Sequence, residues 1–262
     1  MEGCENVPAF VICLESKAAS RCDVNMKNIR KVFPRAERTA AVDAKDIDVP
    51  TDPRISCFAK YNIKNQRDTD LMHINSKGAI GCALSHIGLW NRCASLGQPI
   101  VVVEDDMFIC DTKAAQIRNA VAHIPKACDF ASIMYIATTS TMRGCSGKWC
   151  TIAAGFAGMQ MYYITPRGAR ILLREAFPVV SHIDAYVGLM SDTVPSFRAM
   201  RWSQPIYTLA NMIRDSSIST LGHTMQIRKF LPDSNVFYVF VAICFAALLV
   251  WASVVTERLR RR

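Results

Sequence analysis

Ile100, Val101, Val102 and Val103 set four β-branched apolar side chains in a row, and three acids, Glu104, Asp105 and Asp106, follow directly. A strand with one wet face alternates apolar and polar residues, so a short unbroken apolar run reads as a central strand buried on both faces. That requirement points to an α/β domain. In open α/β sheets ligands collect beyond the carboxyl ends of the strands. Three adjacent carboxylates there repel one another unless a cation or a positively charged ligand neutralises them. Residues 104–106 are therefore the first candidate site.

The remaining pattern supplies partners for such a strand. Ala9–Leu14 is a short apolar run suited to a first buried strand. After Glu15 and Arg21, Val24, Ile29, Val32 and Phe33 can share one helical face, which must end before Pro34. No glycine-rich phosphate loop joins the two. Thr39–Val42 reads as a second strand ending at Asp43, and residues 44–77 as a long polar, irregular connection. Ala79–Leu96 predicts a helix with Ile80, Leu84, Ile87 and Ala94 on its buried face and Gly97 closing it. Ser85 and His86 lie beside that face, where a histidine is more often a hydrogen-bonded structural residue than a catalyst. Residues 111–123 predict a helix, 130–136 a buried strand and 137–154 a loop that could serve as a lid. Residues 158–170 then pair a strand with a helix capped by Thr165 and started by Pro166. Asp184 follows in Ser181-His-Ile-Asp184, as a general base or as a helix cap.

Bulk properties narrow the class. The formal charge is +9, of which the tail around Arg258, Arg260, Arg261 and Arg262 contributes +3. The +6 left for residues 1–256 suits an anionic ligand such as a nucleotide, or an anionic membrane surface. No lysine and arginine stripe with interleaved aromatics argues for nucleic acid. Eleven cysteines are scattered without any Cys-x-x-Cys pair, which favours reduced, partly buried thiols in a reducing compartment. Cys145 and Cys150 read as free thiols in a loop in preference to a small disulfide or metal ligands.

Residues 236–255 carry no charge over 20 positions, with Tyr238 and Trp251 near the two ends. At about 1.5 Å per residue such a helix spans the ~30 Å hydrocarbon core, so the expected organisation is a domain over 1–232 and a membrane anchor with a basic tail over 233–262. Residues 1–20 lack a basic start and a long apolar run, so the segment reads as a tail anchor with the domain in the cytosol. The arginine-rich tail alone would place the domain on the opposite side. The scattered thiols favour the cytosolic placement.

Ala79-Ile-Gly-Cys-Ala-Leu-Ser-His-Ile-Gly-Leu-Trp90, followed by a hydrophobic strand ending Glu104-Asp-Asp106, resembles the signature of glycosyltransferase family 25. That family includes bacterial lipopolysaccharide glycosyltransferases and collagen hydroxylysine galactosyltransferases. The strand turn at Cys13-Leu14-Glu15 with Arg21, the Gly158-to-Arg170 element, Ser181–Asp184 and residues 205–220 are similar to further parts of it. Ala79 and Cys13 depart from the family pattern, which has glutamate at the first and a polar residue at the second.

The resemblance implies a GT-A-like, Rossmann-like α/β domain that transfers a hexose, galactose foremost, from a UDP-sugar to a hydroxyl of a glycan, lipid or protein with inversion. It implies Mn²⁺ or Mg²⁺ held by Glu104, Asp105 and Asp106, hard oxygen donors suited to a hard cation. Arg21, Glu15, Ser85 and His86 become candidate nucleotide contacts, and Asp184 joins Asp106 as a catalytic candidate. His223 is weighed as a further metal ligand, with a surface role preferred. An inactive membrane-anchored scaffold with the same fold is the alternative, supported by Ala79 and the altered turn. A metal-dependent nucleotide hydrolase ranks third.

Overall fold

The apolar run at 100–104 forms a strand in which Ile100, Val101, Val102 and Val103 are fully buried. At about 1.5–3 kcal/mol for each side chain of this size removed from water, this run is a principal contributor to the core. The computed structural model describes residues 6–67, 73–107, 109–134 and 142–204, with the side chains of 16–20 and 142 excepted. All of these fall in one unit, residues 1–217.

One mixed eight-stranded sheet organises the described residues. Its strands are β1 (Ala9–Cys13), β2 (Glu37–Ala40), β3 (Ile100–Glu104), β4 (Phe130–Met134), β5 (Met142–Ser146), β6 (Trp149–Ile152), β7 (Met161–Ile164) and β8 (Ala199–Trp202). They lie in the order β2-β1-β3-β7-β4-β8-β6-β5. β1 runs parallel to both β2 and β3, whereas β7 runs antiparallel to β3 and to β4. The amino end of β7 therefore lies beside the carboxyl end of β3, so one sheet edge collects residues from both.

Among the described residues six α-helices accompany the sheet: α1 (Glu15–Ile29), α2 (Cys57–Lys64), α3 (Lys77–Leu96), α4 (Asp111–Ala122), α5 (Pro166–Leu173) and α6 (Ile183–Thr193). α3 packs on α5 and α6, and its His86 and Trp90 reach Tyr162 on one face of the sheet. On the other face, His123 at the end of α4 packs against Trp202 of β8. α1 approaches Asp105 just beyond β3. β3 is thus covered from both sides, as its unbroken apolar run requires.

α3 shows how locally such elements are determined. Ser76 accepts from the Ala79 N–H at the amino end, and Gly97 closes the helix with φ of 66°, a left-handed conformation that glycine adopts without penalty. α5 likewise starts on Thr165, which accepts from the Gly168 N–H, with Pro166 in its first turn.

Two segments and two cysteine pairs differ from the sequence reading. Residues 44–77 are not wholly irregular, because Ser56 caps α2 by accepting from the Ala59 N–H. The expected loop over 137–154 holds a hairpin, β5 and β6, joined to the main sheet through β8. That hairpin sets Cys145 opposite Cys150 with Cα atoms 4.0 Å apart, and the two form a disulfide in place of free thiols. Cys13 and Cys22 are also joined. A polar, glycine-containing stretch gave no alternation from which to read β5.

Among the described residues no helix is long and apolar enough to cross a membrane. The span expected over 236–255, the boundary at 232, the closing segment over 205–220 and His223 lie outside them.

Candidate active site

The end of β3 sends its three acids in different directions because side chains alternate along an extended backbone. Glu104 lies on the α3 face. His86 Nε2 stands 3.2 Å from Glu104 Oε1, and His86 Nδ1 stands 3.0 Å from Tyr162 Oη. The Trp90 indole N–H, which can only donate, reaches the same Tyr162 oxygen at 3.0 Å. Tyr162 Oη is then free to donate to His86 Nδ1, which leaves the proton on Nε2 to be donated to Glu104. The chain Trp90, Tyr162, His86 fixes the orientation of Glu104, and both ring residues of α3 are fully buried.

Asp105 turns toward α1. Arg21 donates to its Oδ1 at 2.6 Å, the Leu14 N–H donates to its Oδ2 at 3.1 Å, and Asn25 donates to its backbone carbonyl. Of the four residues expected at a nucleotide, Arg21 thus pairs with Asp105, Glu15 is exposed at the first position of α1, and His86 holds Glu104.

Asp106 is half-buried, and its Oδ1 is sealed from solvent without a hydrogen-bond partner. Burial, then the neighbouring Glu104 charge, raise its carboxyl well above the usual carboxylate range, with Arg21 opposing. Asp184 occupies the first turn of α6, two residues past the N-cap, which is His182. The Gly158 and Ala185 N–H groups each donate to its carboxylate at 2.9 Å.

Cys82 stands beside His86 and Glu104. Burial pushes its thiol well up, and the charges of Glu104, Asp184 and Asp106 add to that shift in this order. Ligand atoms of Cys82, His86 and Glu104 lie within 4.8 Å of one another, a set that could hold a metal ion. A hard divalent ion selects oxygen over a thiol that stays protonated, so the better-fitting donors are Glu104 and Asp106, whose buried Oδ1 has no hydrogen-bond partner. Asp105 does not fit that set, because its carboxylate already holds Arg21 and Leu14.

Ser85 has a structural task. It donates to the Gly81 carbonyl at 2.7 Å and accepts from the Val42 N–H at 2.8 Å, tying α3 to the end of β2. A Cβ placed on Gly81 would stand 2.5 Å from the Val42 carbonyl oxygen, closer than real contacts allow. Gly81→Ala is therefore expected to lose about 1–2 kcal/mol in urea denaturation. The overpacking of about 1–3 kcal/mol exceeds the ~0.5–1 kcal/mol that alanine gains over glycine inside a helix.

The sequence reading brought out Glu104, Asp106, His86 and Asp184, and the structure brings these together. It missed Cys82 and Tyr162. The first stands four residues before His86, hence on the same helical face, and the second is opposite Val102 across the antiparallel pair. The second signal becomes readable only once the pairing of β3 with β7 is known.

No curated protein matches this chain. A family model described as glycosyltransferase family 25 (LPS biosynthesis protein) matches residues 6–187, which span Glu15 to Asp184. The match covers more than half of the 262 residues, and the chain belongs to glycosyltransferase family 25.

Proposed function

We propose that this protein is a metal-dependent glycosyltransferase that moves a hexose, galactose foremost, from a UDP-sugar to a hydroxyl of a glycan, lipid or protein, with inversion. The observation that carries the reading is that the carboxyl end of β3 sets Glu104, held by His86, next to Asp106 and pairs with Gln160, two residues past the Gly158 N–H that holds Asp184. Family membership supports the transfer of a sugar. The acids support the manner of it.

In this reading Glu104, aligned by His86, and Asp106, with one unpartnered oxygen, are the residues that would hold Mn²⁺ or Mg²⁺. A divalent ion bound there supplies positive charge that offsets the charge of the departing diphosphate. Asp105 and Arg21 keep the acid loop in register with α1. Asp184, fixed by two backbone N–H groups, is oriented to take the proton of the acceptor hydroxyl as the new glycosidic bond forms. Glu15, exposed at the start of α1, is the remaining nucleotide contact. The uncharged run over 236–255 would hold the domain at a membrane as a single-pass C-terminal anchor.

Isothermal titration of the full chain with UDP-galactose, UDP-glucose and UDP, each with Mn²⁺ and with EDTA, tests this. The expected result is binding that requires the metal and that disappears in Glu104→Gln. A folded protein that binds none of the three would overturn the transferase reading.

A further inference from the structure

β7 opens beside the end of β3, and its first approach is made by Gln160: the Glu104 N–H donates to the Gln160 carbonyl at 2.9 Å. In an antiparallel pair, residues directly opposite project to the same face. Val102 lies opposite Tyr162, so Glu104 lies opposite Gln160, and the Gln160 side chain shares the face on which Glu104 meets His86. Gln160 is only 5% exposed, and its side-chain oxygen Oε1 is buried without a hydrogen-bond partner. A buried acceptor left unmatched destabilises a fold by about 1–3 kcal/mol, so such an atom in a site calls for a ligand group that donates to it.

The position of Gln160 says which part of a donor that would be. On one side it is paired with Glu104; two residues before it, the Gly158 N–H holds the Asp184 carboxylate. The reading above puts the diphosphate at Glu104 and Asp106 and the acceptor hydroxyl at Asp184. The group between those two ends is the transferred sugar. A diphosphate oxygen only accepts and cannot satisfy an amide oxygen, whereas a hexose hydroxyl donates.

We infer that Gln160 is a specificity-determining residue that accepts a hydrogen bond from a hydroxyl of the hexose being transferred. This inference rests on the transferase reading. The substitution Gln160→Met tests it, because methionine keeps the length and the burial and removes the oxygen. Titration of the full chain with Mn²⁺ present would compare UDP with UDP-galactose and UDP-glucose, taking whichever sugar nucleotide binds wild type more tightly.

The expected result is a loss of about tenfold in affinity for the UDP-hexose, the equivalent of one hydrogen bond, with the affinity for UDP unchanged. Retained UDP binding also shows that the variant is folded. Among deoxy derivatives of that hexose, one should bind wild type about tenfold more weakly than the parent and bind the variant no more weakly than the parent does. An unchanged UDP-hexose affinity in Gln160→Met, or an equal loss for UDP, would overturn the assignment while leaving the transferase reading in place. Failure of wild type to bind UDP or either UDP-hexose would remove the transferase reading and this inference with it.

Discussion

Asp106→Asn is expected to give a protein that is slower in sugar transfer by on the order of 10³ and yet more stable than wild type when no metal is present. The two effects have one cause. Asp106 is half-buried with a sealed, unpartnered Oδ1, and burial together with Glu104 raises its carboxyl well above the ordinary value near 3.8. A raised pKa in an acid means that the native state binds the proton more tightly than the unfolded chain does. Stability then falls as pH rises from about 4 through the native pKa, and the penalty is fully present above it. Asparagine has nearly the same shape and no charge to desolvate, so the variant should gain about 1–2 kcal/mol in EDTA at neutral pH, or about 2–8 °C in melting temperature. The gap should close as pH falls toward 4. Mn²⁺ should reverse the ranking, because a ligand that binds only the native wild type stabilises it by mass action and leaves the variant unchanged. Thermal melts over pH 4–8 with EDTA or Mn²⁺, run beside a transfer assay, read both effects. Full activity in the variant would remove Asp106 from the site.

Such a residue is a strain accepted for function, and it also marks how far the sequence could be read. The buried strand, the helix from Lys77 to Leu96 with its Gly97 cap, and the capped start of α5 were legible because each is a local matter of periodicity or of capping chemistry. The hairpin of β5 and β6 was not, since Met142–Ser146 owes its strand to pairing with a neighbour and not to its own side chains. At the site, the motif spacing found the acids but could not separate them. Which acid faces α3 and which faces α1 depends on the pleat and on what β3 is paired with, and β7 lies some 60 residues away along the chain. Gln160 and Tyr162 were hidden for the same reason.

Asp105 should respond in the opposite sense to its neighbour. Its carboxylate is 9% exposed and accepts from the Arg21 guanidinium at 2.6 Å and from the Leu14 N–H at 3.1 Å. Removing one member of a buried pair leaves its partner's charge uncompensated, at a typical cost of about 3–5 kcal/mol. Arg21 keeps 25% of its side chain in solvent, so the lower end applies, and Asp105→Ala is expected to lose about 3 kcal/mol in urea denaturation. Asp105→Asn keeps an acceptor for Leu14 and loses only the charge, which should cost about half as much. Since this carboxylate faces α1 and not the side of Glu104, both losses should be the same size in EDTA and in Mn²⁺. An Asp105→Asn variant with wild-type stability and no response to Mn²⁺ would show instead that the three acids act as one ligand group. Adjacent residues of like charge thus make opposed predictions: in the proposed reading Asp106 holds a place for the metal at the expense of the fold, and Asp105 holds the loop so that Asp106 can.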